Sequence, residues 1–512
     1  MAGHALSRER GIGLGSPARS AGGPGAGRLL GPLLAAGALG LAGWIAWGGS
    51  GHPSAEIVQP ASVVGRATPL SLRVDAGRAG LRSIDVRLEG GGAAGTLFSK
   101  QIPADGLFGS GVRSECLDLV LDGATAGVPE GEARVVVRAS DWSAIGRLRG
   151  PGEILSIPVT VDLAAPAVTP VTTTSMAQRG GSAIVVYRVT PDAVRSGVEI
   201  GKRRFPGRTG AFADPTLAVA LFSLPWDAEA PIQPQVYAED AAGNRGRAAV
   251  ILPVKERRFP EEKIEVTSTF MTVKIPELLE RNGMKAPADP IEAYLAVNRD
   301  VRRKSEERLR EIGRVTAPRF LFDGAFVQQP DTAVGSRFAE RRHYFFGGKP
   351  IDEQTHLGTD LASVKLAPVV AAARGRVLWA GDLGIYGNAV VLDHGLGLET
   401  LYAHLTDAAV APGQMVERGA TLGRSGQTGL AGGDHLHYST MIHGQHVDPV
   451  EWWDGKWFRD RIAPTLASAP AAPNVGDEPS DPDPAVATAA RSGCAAGAAT
   501  AAPGTVPKAA AP

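Results

Sequence analysis

The sequence predicts a mainly β protein: two tandem β-sandwiches, a helical linker, and a further β-rich module towards the C-terminal end. Three observations predict it. Between residues 56 and 255, alternating apolar runs (Leu70 to Val74, Ile84 to Leu88, Arg134 to Ala139, Ile157 to Val161) are broken by Gly, Pro and Asp, the rhythm of strands and turns. Between 276 and 313 the apolar spacing becomes helical. From 315 to 460 the strand rhythm returns with Gly-centred turns. A chain of 512 residues is too long for one domain, and its 65 Gly, 38 Pro and 6% aromatics suit β modules and loops. The net charge is zero, so nothing points to nucleic acid or another polyanion as partner.

Residues 1–28 are polar and Gly-rich and read as a disordered cytoplasmic segment. Residues 29–47 carry no charge and are just long enough to cross a bilayer as a helix. Arg8, Arg10, Arg19 and Arg28 precede them against one acid, Glu9. The positive-inside rule then predicts a single-pass inner (cytoplasmic) membrane protein with its N-terminus in the cytoplasm and the rest periplasmic or otherwise extracytoplasmic. Trp44 and Trp47 fall at the far interface. A cleaved signal peptide is the competing reading, but no small-x-small site follows.

The two sandwiches are expected at 56–163 and 164–255. Val135 to Asp141 resembles Gln235 to Asp240, and each is followed by a turn and another apolar run. The repeat of roughly 100 residues fits one sandwich each. The turn Asp240-Ala241-Ala242-Gly243-Asn244 looks like that of bacterial immunoglobulin-like domains. No catalytic cluster lies here, so a spacer or binding module is expected. Cys116 and Cys494 are far apart and predict no structural disulfide.

The linker, 256–314, has two helix signals. Pro276 to Asn282 ends before Gly283. Asp289-Pro290-Ile291-Glu292 places a capping acid, then Pro at the first and Glu at the third helical position. Ile291, Tyr294, Leu295, Val301, Leu309 and Ile312 form a stripe interrupted by Asn298 and Ser305, and Gly313 closes it. The segment packs against or spaces out the module beyond it. Residues 463–512, rich in Ala and Pro, are expected to be disordered.

Eight of ten histidines lie between His343 and His446. His356 and Asp360 stand four apart around a Gly-containing turn. His435 and His437, at i and i+2 of a strand, project to one face. His404 ends the run from Leu398. Each pattern alone is weak; three within one module point to a metal site.

These motifs resemble the lysostaphin-like, or LytM-type, zinc metallopeptidases that act on peptidoglycan. The resemblance runs from about Gly335 to Trp453. It includes His356-Leu357-Gly358-Thr359-Asp360-Leu361, Tyr386-Gly387-Asn388, Asp393-His394-Gly395, Tyr402-Ala403-His404-Leu405, Gly423 to Gly429 and His435-Leu436-His437-Tyr438. It implies an antiparallel β-sheet catalytic domain at 315–460 with one zinc held by His356, Asp360 and His437. It implies His435 as general base and His404 as the group that steadies charge in the tetrahedral intermediate. The substrate it implies is peptidoglycan, cut in its peptide cross-links, at D-alanyl–diaminopimelate bonds or in bridge peptides. Envelope protein partners stay unspecified. Two other readings are a regulator that activates cell-wall amidases without catalysis of its own, and a surface adhesion or scaffold protein.

The sequence departs from the family pattern at Asp434, Ser439 and Ala339. Asp434 is expected to add negative charge beside the cleft and either raise the pKa of His435 or alter substrate choice. His394, His443 and His446 are expected to be structural, and Asp448 to cap the loop behind the site. Trp379, Trp452 and Trp453 read as core, and Tyr386 as groove wall or core.

Overall fold

The computed structural model describes residues 52–105, 111–473 and 476–482, together with Gly37, Leu39 and Gly40. Those three are helical and are all of the expected anchor that is described. Among the described residues no helix is long and apolar enough to cross a membrane. Segment 1–28, expected to be cytoplasmic, lies outside them.

The chain is mainly β. The first pair of sheets has three strands in the order Ser54–Gln59, Thr68–Asp75, Ser114–Leu121, facing five in the order Val63–Val64, Gly152–Val161, Gly131–Asp141, Leu81–Gly90, Ala93–Gln101. Leu70, Leu72 and Val74 of one sheet and Ile84, Val86 and Leu88 of the other alternate inward and share one core. The second pair has four strands in each sheet. Its strands Ser182–Val189 and Leu217–Ser223 are buried along almost their whole length. The reason is coverage on both faces, since their core runs on into that of the C-terminal module through Leu361, Tyr438 and Trp452. Asp141 and Asp240 each end a strand, are buried, and accept a backbone N–H from the turn beyond, from Ser143 at 3.0 Å and Asn244 at 2.9 Å.

Cys116 is disulfide-bonded, against the expectation from sequence. Cys494, the other cysteine, lies outside the described residues.

The helical segment contains Ile275–Arg281, Pro290–Leu295 and Arg302–Ile312. Asp289 caps the second by accepting from Ile291 N at 2.9 Å. A π-helical turn, Ala296–Val301, joins the last two. It adds residues to one turn and swings the stripe round, so Asn298 and Ser305 are buried despite their polarity. Asn298 donates to Asp352 at 2.8 Å; Ser305 donates to Val301 O and accepts from Ile385 N. The segment lies on the C-terminal sheet, with Leu278, Tyr294, Val297, Val301 and Leu309 against Ile385, Val391, Leu401 and Met441. Before it, Glu261–Glu265 pairs in parallel with Glu340–Phe346 of the C-terminal module.

The main C-terminal sheet runs in the order Ala333–Ser336, Thr359–Ala362, Leu436–Ile442, Leu398–Leu405, Asn388–Asp393, Gly375–Asp382, Met415–Val416. These pairings are antiparallel, and Leu436–Ile442 is wholly buried near the middle. The tail expectation fails for residues 463–473 and 476–482. They hold the helix Ala463–Leu466, strand bridges Phe212 to Ala471 and Thr316 to Ser480, and ion pairs Arg314–Asp481 and Arg376–Glu478. Backbone bridges and charge anchor this stretch in place of a core of its own.

Glu451, on the helix Pro449–Trp453, joins the C-terminal module to the second pair of sheets. It accepts from Ser182 N at 2.7 Å and from Gln178 at 3.1 Å. Burial pushes its carboxyl up from an ordinary 4.5 to about 8, against the two hydrogen bonds. An acid with a raised folded pKa favours the fold fully below its unfolded pKa and loses that contribution as pH climbs to the folded value. Thermal melts of Glu451→Gln and the parent should therefore diverge between pH 4.5 and about 8, the variant gaining relative to the parent as pH rises. A constant difference in Tm across that window would contradict this.

Candidate active site

His356 ends the strand Lys349–His356, and Leu357-Gly358 turns the chain directly into Thr359–Ala362. A side chain at Gly358 would stand 2.5 Å from His437 Nε2, so the turn requires glycine. Pairing of Thr359–Ala362 with Leu436–Ile442 sets Asp360 opposite His437. His404 reaches the same point from the other side through a left-handed backbone at φ 63°. His435 sits at the mouth of its strand, its ring 4.9 Å from that of His404.

His356 Nε2, His437 Nδ1 and Asp360 Oδ1 form a near-equilateral triangle with sides of 3.0, 3.0 and 2.9 Å. The outer partners fix the protons. His356 Nδ1 donates to Arg337 O at 3.1 Å, which leaves Nε2 a bare lone pair. Ser439 gives its hydroxyl proton to Leu357 O at 2.8 Å, so it accepts from His437 Nε2 at 3.1 Å. That leaves His437 Nδ1 a bare lone pair too. Two lone pairs and a carboxylate cannot hydrogen-bond one another; they converge as ligands of a cation. A set of two nitrogens and one oxygen, with ligand atoms about 2.0–2.1 Å from the metal and one position open, fits zinc. Among the described residues this is the one His/Cys/Asp/Glu group placed to hold a metal.

The other two imidazoles are held the same way. His435 Nδ1 donates to Gly433 O at 2.9 Å and His404 Nδ1 to Thr428 O at 2.8 Å, so each Nε2 is a lone pair. Burial pushes His437 down to about 4 and, with the neighbouring imidazoles, holds His404 well below its ordinary range. Burial also disfavours charge on His435, but the Asp360 carboxylate beside it outweighs this and its pKa lies above the usual value.

Residues 354–449 match Peptidase family M23. The chain is 42% identical over 121 residues to "DD-carboxypeptidase/endopeptidase Mpg" of Neisseria meningitidis, covering 23% of this chain and 26% of that protein. It is 35% identical over 120 residues to "Peptidoglycan DD-endopeptidase ShyA" of Vibrio cholerae, covering 23% and 27%. Each alignment thus spans about a quarter of the relative's length. Among solved structures, the catalytic domain of lysostaphin from Staphylococcus simulans aligns at 27% identity and a TM-score of 0.21, over 24% of this chain and 92% of that one.

All five residues named from the sequence meet at one groove of about 470 Å³. His394 is structural, bonded to Arg374 O and Thr400; His443 forms the hairpin turn with Gly444; His446 pairs with Glu306. Asp448 caps the helix that follows it through Val450 N. Trp379, Trp452 and Trp453 do not line the groove, whereas Tyr386 does, 5.4 Å from the His437 ring. The expectation for Asp434 finds no support, because its carboxylate accepts from Ser425 at 2.6 Å and Leu366 N at 3.2 Å. Ala339 takes a left-handed φ of 58°, a conformation that favours glycine.

The sequence reading missed two groups. Arg342 pairs with Asp360 Oδ2 at 3.0 Å on the side away from the triangle. The helical segment and the strand before it supply a wall of the groove: Ile264, Val266, Phe270, Tyr294 and Arg302. A one-sided apolar stripe announces that a helix packs, not what it packs on.

Proposed function

We propose that this chain is a zinc-dependent endopeptidase that hydrolyses the peptide cross-links of bacterial peptidoglycan. The observation that carries the reading is the convergence of two imidazole lone pairs and one carboxylate, with two further imidazole lone pairs beside them. The DD-endopeptidase names of the M23 relatives supply the substrate class. Zinc in the triangle supplies Lewis acidity towards water and the scissile carbonyl. His356, Asp360 and His437 hold it, with Ser439 and the Arg337 carbonyl orienting the rings. His435 Nε2 would take the proton of the attacking water and pass it on to the leaving amine. His404, neutral with an accepting Nε2, would orient the water. Segment 29–47 anchors the chain in the inner membrane, with the groove on the extracytoplasmic side. Residues 56–255 form two immunoglobulin-like sandwiches, a reading supported by the matching turns at Asp141 and Asp240.

The test is digestion of purified peptidoglycan by the full chain in detergent, with products weighed by mass spectrometry. Cross-linked dimers should fall to monomers, stop falling under a chelator, and resume on adding zinc. Dimers that persist under all three conditions would overturn the proposal.

A further inference from the structure

We propose that Arg302 is a carboxylate-binding residue of the groove, gripping a free carboxylate of the peptide substrate; the proposal rests on the endopeptidase reading above. Arg302 lines the same cavity as His356, Asp360 and His437, yet it comes from the helical segment, outside the stretch that matches M23. Its guanidinium is held in advance. Nε donates to Asn298 O at 3.1 Å and Nη2 to Asn298 Oδ1 at 2.7 Å. Asn298 is buried and is itself fixed by Asp352 at 2.8 Å. Both of these bonds go to neutral acceptors.

The acids within reach are engaged elsewhere. Asp360 and Glu262 face Arg342, at 3.0 and 3.9 Å. Glu306, one turn beyond Arg302, accepts from Tyr386 at 2.6 Å and pairs with His446 at 3.1 Å. Arg302 makes no ion pair among the described residues, unlike Arg342 at the same groove. A half-buried guanidinium, immobilised and without a carboxylate in direct contact although its charge helps hold Glu306 ionised, costs little further ordering when a carboxylate arrives and can meet it with a charge-assisted hydrogen bond. A peptide in which a free carboxylate flanks the scissile amide is the substrate chemistry that this wall recognises.

The test separates binding from cleavage. The probes are a synthetic D-alanyl-cross-linked stem-peptide dimer with free carboxylates and the same dimer with its carboxylates amidated. Calorimetry on the full chain in detergent, with chelator present so that neither probe is cut, should show the parent preferring the free carboxylate by about tenfold to a hundredfold. Arg302→Gln should abolish that preference, and Arg302→Lys should keep part of it. A preference undiminished in Arg302→Gln, or a parent that shows none, overturns the proposal. Turnover of the same probes with zinc restored tests the endopeptidase reading separately: intact probes there, with the binding preference present, would sink that reading and leave the carboxylate site standing.

Discussion

Replacing His437 by alanine should strip zinc from the protein and lower cross-link hydrolysis by about a thousandfold or more. His437 is the strand-borne corner of the ligand triangle, and its loss leaves His356 and Asp360, two groups too few for a closed protein donor set. Metal content by atomic absorption and turnover by muropeptide mass give the two readouts. A variant with one zinc per chain and parental activity would dismiss the assigned ligand set. Fold loss is separable, since His437 sits between Asp360 and Ala403 in a pairing that a methyl side chain can keep.

His435→Ala should behave differently. Zinc should remain, because His435 is not a corner of the triangle, while the rate constant falls by about 10²–10⁴-fold, the range for removing a positioned acid–base group. The pH dependence carries the sharper distinction. The parent profile should contain an ionisation that His435→Ala lacks, and His404→Ala should keep it. If His404→Ala removes that ionisation and His435→Ala does not, the roles of the two imidazoles are exchanged.

The parts of this site readable from the sequence are those fixed by local geometry. His356 and Asp360 flank a two-residue turn, and His435 and His437 share a strand face, so spacing alone aligns them. His404 could be placed at a strand end, but the left-handed backbone that aims it is a tertiary constraint. Ser439 looked like a loss relative to the family, yet its hydroxyl is what sets the tautomer of His437. Arg302 and Arg342 were illegible because each reaches the groove from a surface whose partner no local pattern specifies. The strand Glu261–Glu265 was invisible for a related reason: four of its five residues are charged, and the pairing that makes it a strand comes from residues 341–345. The helices were readable from caps and periodicity, but not the π turn, which buries Asn298 where a straight helix would expose it.

The helical segment and its preceding strand bear on how this protein could be inherited or transplanted. The stretch that resembles other peptidases looks like a portable cassette, bounded by recognisable motifs. Cut out at those bounds, it would bare Ile385, Val391, Leu401 and Met441 to water and lose Tyr294 and Arg302 from its groove. The heritable unit therefore begins at or before Glu261. Diversification of substrate preference has a natural seat there, in sequence that can drift while the metal ligands stay fixed.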